Sequence, residues 1–177
     1  MKKPHTTPTD KETVLKDGEF IVSKTDLKSK ITYGNEYFIS ISGWSEEELL
    51  GKPHNILRHP DMPQCAFKIL YEMIENGKEF FGFVKNLKKD GGYYWVFANI
   101  TPSFDENGKL VGYYSVRRKP IDGFKKIIEP LYKKLRDIES TGSMNDSYEA
   151  VQNLLKENNI TFNELTLGIQ KGVINEL

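Results

Sequence analysis

Two hydrophobic periods alternate along the chain and divide it into elements. Short apolar runs at 19–24 and 30–33 read as strands, separated by the turn Thr25-Asp26-Leu27-Lys28. Three longer runs, 80–87, 93–104 and 110–117, are linked by Lys88-Lys89-Asp90-Gly91-Gly92 and Asp105-Glu106-Asn107-Gly108. Both links are rich in hairpin residues, so these runs predict an antiparallel meander. Between the two sets the spacing turns helical. Asn35 is a cap for a helix through Ser42 with Tyr37, Phe38 and Ile41 inward, and Ser45 with Glu48 forms a capping box. From 63 to 75, Phe67, Leu70, Tyr71 and Ile74 recur at helical spacing until Asn76-Gly77 stops them. The order predicts an α+β fold: one five-stranded antiparallel sheet with short helices on one face.

The flanks differ in texture. Residues 1–18 are polar and read as a flexible arm or a short N-terminal cap, and 19–120 form the main domain. A connecting helix follows within 121–139, with Ile127, Ile128, Leu131 and Leu135 on one side and a kink or break expected at Pro130. Residues 140–146 read as a Ser/Gly/Asn linker, and 148–157 and 161–173 as two helices of a hairpin. This tail, 140–177, suggests a docking or dimerisation element.

Composition narrows the chemistry. Lys plus Arg equals Asp plus Glu at 25 each, and no basic run interrupts the balance, so nucleic acid is not an expected partner. No apolar run approaches the length that crosses a bilayer, and the start lacks an apolar leader, so a cytoplasmic location is expected. The single Cys65 permits no internal disulfide. No nucleophile is paired with a base and no metal-ligand spacing occurs, so an enzyme is not expected.

The candidate chemistry gathers at two places. Residues 54–63 read His-Asn-Ile-Leu-Arg-His-Pro-Asp-Met-Pro, which Pro60 and Pro63 stiffen into a non-helical corner. Arg58 suits bidentate phosphate binding, and His59 and Asp61 suit ribose, pyrophosphate or each other. An Arg–Asp bridge that merely fixes the loop accounts for the same residues. In the meander, period two puts Phe80, Gly82, Val84 and Asn86 on one face. Gly82 leaves room for a flat ring, and the Asn86 amide suits the pyrimidine edge of an isoalloxazine. A turn-capping role for Asn86 competes with that reading. Trp95 and Phe97 point to the opposite face, toward the N-terminal arm, a second subunit or a partner. Arg117 on the inner face of the last strand would set a cation near the ring, unless it is an exposed strand-end charge.

Several strings resemble one family. Gly43-Trp44-Ser45-Glu46-Glu47-Glu48-Leu49-Leu50-Gly51 is similar to a stretch common in PAS domains. The run from Gly51 to Pro63, then Val84-Lys85-Asn86, Lys89-Asp90-Gly91, Tyr94-Trp95-Val96, Ala98-Asn99 and Glu129-Pro130-Leu131-Tyr132, resembles the FAD-binding PAS domains of Aer-type aerotaxis receptors over about residues 5–135. The resemblance implies that Arg58, His59 and Asp61 hold FAD, and it favours Asn86 as a flavin contact; Phe80, Gly82, Trp44 and Arg117 are further candidate cofactor contacts. One departure is Phe80, where the resembling pattern has Trp, so an indole donor is lost there. Because the chain runs only two short helices further, it is similar to stand-alone energy-taxis sensors of the CetB type. That likeness implies a membrane-bound chemotaxis transducer with a HAMP region as partner, a homodimer as another association, and a peripheral place at the inner membrane through that partner.

The expected mechanism is a redox switch, in which reduction of the flavin makes Asn86 and Arg117 reorganise their hydrogen bonds and the sheet passes the change outward. A cofactor-free interaction module is the alternative. A haem sensor using His54 or His59 is another, without a Cys-x-x-Cys-His motif to support it. A blue-light cysteine adduct is not expected, since Cys65 lies at the start of a helix.

Overall fold

The computed structural model describes residues 5–176; the first four residues of the expected arm and the last of the tail lie outside the described residues. Five strands, β1 (Ile21–Thr25), β2 (Ile31–Gly34), β3 (Phe80–Leu87), β4 (Tyr93–Phe104) and β5 (Leu110–Arg118), form one sheet in the order β2-β1-β5-β4-β3. Every neighbouring pair is antiparallel. The expected α+β architecture is therefore the one observed.

The first two helices begin where short polar side chains satisfy free amides. Asn35 accepts from the Phe38 N–H to start α1 (Glu36–Ser42), and Gly43 ends it at φ 75°. Ser45 and Glu48 form the capping box of α2 (Glu46–Leu49). Residues 54–57 then make one 3-10 turn, so the corner expected over 54–63 is irregular only from Arg58 onward. Pro63 leads into α3 (Gln64–Glu75). These elements cover the inner sheet face, where Phe38, Leu49 and Leu57 pack with Ile21, Tyr94, Val96 and Ala98.

Three further helices, α4 (Lys125–Thr141), α5 (Met144–Glu157) and α6 (Phe162–Gln170), fold back on the rest of the chain. Phe124, just before α4, stacks on Phe83 at 5.2 Å and meets Trp95 edge-on at 5.3 Å. Trp95 and Phe97 are thus covered by the chain's own C-terminal segment. An amphipathic stripe says that a helix buries one face but not against what, so this docking had no local signal. The α4 helix runs unbroken through Pro130, which lies exposed in its second turn. The expected linker contracts to Gly142 and Ser143, because Ser143 and Asp146 form a capping box that starts α5 early.

These helices also close the β3 edge. An open edge presents unpaired backbone groups. Here the Phe81 N–H donates to Asn163 Oδ1 at 3.0 Å, and Phe81 O and Phe83 O accept from Thr166 and Tyr132 hydroxyls at 2.8 and 2.7 Å. At the other end of the meander, residues 5–13 lie along the β3–β4 hairpin. The Thr9 and Thr13 N–H groups donate to Gly91 O and Tyr93 O at 2.8 Å each, and Leu15 enters the inner core.

Candidate functional site

Between the inner sheet face, the 3-10 turn and α3 lies a cavity of about 180 Å³. Val84, Ala98, Ile100, Phe67 and Leu70 make its walls largely apolar. The polar lining comes from alternate positions of the strands: Asn86 on β3, Ser115 and Arg117 on β5, Ser23 on β1. Register places Ser23 opposite Ser115 and Ala98 opposite Arg117. Arg58 and His54 enter from the corner.

This lining is positively charged and short of partners. Two guanidinium groups, Arg58 and Arg117, face the cavity, and no carboxylate among the described residues lines it. Arg117 is 2% exposed; its Nη2 donates to Ser23 Oγ at 2.5 Å and its plane lies over the Phe38 ring. Its Nε and Nη1, the Nε and Nη2 of Arg58, Asn86 Nδ2, Ser115 Oγ and Tyr94 Oη are buried without a hydrogen-bond partner among the described residues. Burial lowers Arg117 to about 10 and pushes Tyr94 up to about 12. Arg58 is lowered by burial against the opposing charge of Glu139. Burial, then the nearby Arg117 charge, lowers His54 to about 3, so its ring is neutral. Buried donors are normally satisfied. A cluster of unsatisfied donors around one cavity fits an electron-rich planar ligand with acceptors on its edge, and a flavin matches that description.

The expected site residues divide. Arg58, Asn86 and Arg117 meet at the cavity. His59 and Asp61 turn away from it. His59 Nδ1 accepts from the Asp61 N–H at 3.1 Å, and its ring meets Tyr93 edge-on. Asp61 accepts from Lys85 Nζ at 2.7 Å and from Arg136 Nη1 on α4 at 3.0 Å. Burial lowers His59 to about 4, with Lys85 adding to the effect. Burial works to raise Asp61, but the Lys85 bond and the surrounding positive charges hold it below the usual carboxylate range. The Arg58–Asp61 bridge weighed as a loop clamp does not form; Lys85 and Arg136 take that place. The room expected over Gly82 is filled: a Cβ there would lie 2.5 Å from Cζ of Phe80. That ring leans along its own strand and stacks on Phe162 of α6. Trp44 sits elsewhere, between His5 and Lys89. Cys65 is buried outside the cavity lining.

Ser23 and Ser115 line the cavity and are not among the expected site residues. Ser115 shares the parity of Arg117 on β5, and that alternation was the available signal. Ser23 follows only once the β1–β5 register is known.

The family model described as PAS fold matches residues 31–117. The chain carries a PAS domain. It is 44% identical over 131 residues to the aerotaxis receptor of Escherichia coli K12, an alignment covering 74% of this chain and 26% of that protein. The biofilm dispersion protein BdlA of Pseudomonas aeruginosa is 31% identical over 87 residues, 49% of this chain and 21% of its own length. The chain thus spans about a quarter or less of these two relatives' lengths. The light-state structure of the blue-light photoreceptor Aureochrome1 LOV superposes with a TM-score of 0.54 at 24% identity, covering 60% of this chain and 84% of that one. This last likeness concerns the fold alone. No helix among the described residues is long and apolar enough to cross a membrane.

Proposed function

We propose that the PAS domain binds FAD and that the chain is a redox or oxygen sensor for energy taxis, reporting to a membrane-bound chemotaxis transducer with a HAMP region. The observation that carries the proposal is the charge of the cavity: two guanidinium groups, two unsatisfied neutral polar groups (Asn86 and Ser115) and no carboxylate among the described residues. The identity to the aerotaxis receptor supports the sensory role. A bound flavin supplies reversible electron uptake at its ring.

Within that reading the chain's residues have distinct tasks. Asn86 offers both donor and acceptor to the polar edge of the ring. Arg117 sits in a low-dielectric wall, where its charge offsets negative charge added to the ligand far more than it would in water. Arg58, at the corner, serves the phosphate-bearing side chain of the cofactor. Val84, Ala98 and Ile100 provide the apolar bed.

The deciding experiment is a visible spectrum of the purified protein, followed by release and mass identification of any cofactor. Flavin bands and released FAD are expected. A protein that is colourless and takes up no added FAD overturns the flavin reading and leaves a cofactor-free interaction module. A Soret band would assign haem, with His54 as the cavity histidine.

A further inference from the structure

We propose that Arg136, on a helix outside the cavity, is a positioning residue that sets Arg58 for its ligand. This rests on the reading of the cavity as a flavin site. Lys85 and Asn86 are consecutive, so their side chains point to opposite sheet faces. Asn86 reaches the cavity, whereas Lys85 reaches Asp61 at 2.7 Å. The corner shows the same division, with Arg58 in the cavity and Asp61 outside it. The two segments are joined by an isolated antiparallel bridge between Arg58 and Asn86. Each segment therefore presents one side chain to the ligand and one to an outer ionic cluster.

That cluster is completed from α4. Tyr132, Arg136 and Glu139 recur at helical spacing and share one stripe. Tyr132 donates to Phe83 O, Arg136 donates to Asp61 Oδ1 at 3.0 Å, and the Glu139 carboxylate accepts from the N–H groups of Gln64 and Cys65 at 2.9 Å each. The helix thus grips residues 58–65 at two points, Asp61 and the start of α3. Pro60 and Pro63 restrict the backbone of this segment, so a shift at Asp61 is carried to Arg58 rather than absorbed. The Arg136 and Asp61 side chains are 34% and 40% exposed. Ion pairs at that exposure contribute little to stability. What this one supplies is position.

The test is FAD titration of the full chain, freed of cofactor, for wild type, R136Q, R58Q and the double variant. Arg136→Gln is expected to weaken FAD binding about tenfold, and Arg136→Lys to recover part of that loss. In the R58Q background, R136Q is expected to add no further loss, because its effect passes through Arg58. Lys133→Gln, which breaks an exposed pair with Asp137 on the same helix, is expected to bind as wild type. Circular dichroism confirms that each variant is folded; if R136Q does not fold, R136K and D61N, each alone and with R58Q, carry the same comparison. Equal FAD affinity in R136Q and wild type overturns the proposal while the flavin reading stands. So do losses that multiply in the double variant, the signature of general destabilisation. A wild-type protein that takes up no FAD overturns the flavin reading, and the positioning role with it.

Discussion

Arg58 and Asn86 pair through their backbones in an isolated antiparallel bridge, and both side chains enter the same cavity with donors unsatisfied. The bridge ties a proline-stiffened corner to a sheet edge, so two polar groups far apart in sequence are held at one wall. A rigid pair of donors costs little reorganisation when a ligand arrives.

Asn86 is the position where charge and shape separate most cleanly. Asn86→Asp keeps the size of the side chain but exchanges its two donors for a negative charge. In a cavity lined by two guanidinium groups, that carboxylate finds partners inside the protein. The variant is expected to fold with equal or higher thermal stability and to bind FAD at least about tenfold more weakly. Thermal melts and FAD titration check both halves. Undiminished binding would remove Asn86 from the site.

Arg117 carries the clearest conflict between stability and binding. Its guanidinium is almost fully buried, with one bond to Ser23 and two nitrogens unpaired. Burying such a charge is costly, and apolar replacement of buried ionic groups is often neutral or stabilising. Arg117→Met is expected to leave the cofactor-free protein as stable or raise its stability by about 1 kcal/mol. The same change is expected to lower flavin affinity and to make the bound cofactor's midpoint potential more negative. Chemical denaturation without cofactor, and a redox titration with it, are the measurements. A large loss of stability in the cofactor-free protein would show that Arg117 is structural.

Acid should destabilise the domain through His54. Its imidazole has an ordinary value of 6.5 and is lowered to about 3 in the fold, by burial and then by Arg117. The unfolded chain therefore binds a proton that the folded chain refuses. The stability from this group is complete above pH 6.5 and is lost as pH falls toward 3. At pH 5 the loss amounts to about 2 kcal/mol. His59, lowered to about 4, acts in the same direction. His54→Gln is expected to remove its share of the slope between pH 7 and 5 and leave that of His59. Urea unfolding across that range tests the claim, and an unchanged slope would refute it.

How much of this could be read beforehand depended on periodicity. Phe80–Leu87 and Tyr93–Phe104 have the expected ends, because period-two alternation stops at hairpin residues. The same alternation put Asn86 and Arg117 on the inner face. The corner has no period, so nothing local said that Arg58 points inward while His59 and Asp61 point out. Gly82 misled for a related reason. A missing side chain creates room, but whether a neighbour such as Phe80 leans into it depends on rotamer and on Phe162, which is distant in sequence. The fold-back of α4 had the same origin, a polar stripe whose partners lie elsewhere in the chain.

The N-terminal segment makes its own demand on the β3–β4 hairpin. Gly91 has φ +90°, and a Cβ built there would lie 2.5 Å from the Thr7 backbone oxygen. Gly108, in the β4–β5 hairpin, has φ +76° but nothing within 4 Å of the same built atom. Both glycines avoid left-handed strain, whereas only Gly91 also admits another backbone. Gly108→Ala is therefore expected to cost about 1 kcal/mol from conformation alone. Gly91→Ala is expected to cost more, about 2–3 kcal/mol, because the arm must move as well. The extra cost should appear as faster proteolysis within residues 5–18, where Thr9 and Thr13 lose their bonds to Gly91 and Tyr93. Equal losses in the two variants, with the arm equally protected, would mean that the close approach of Thr7 places no constraint on residue 91.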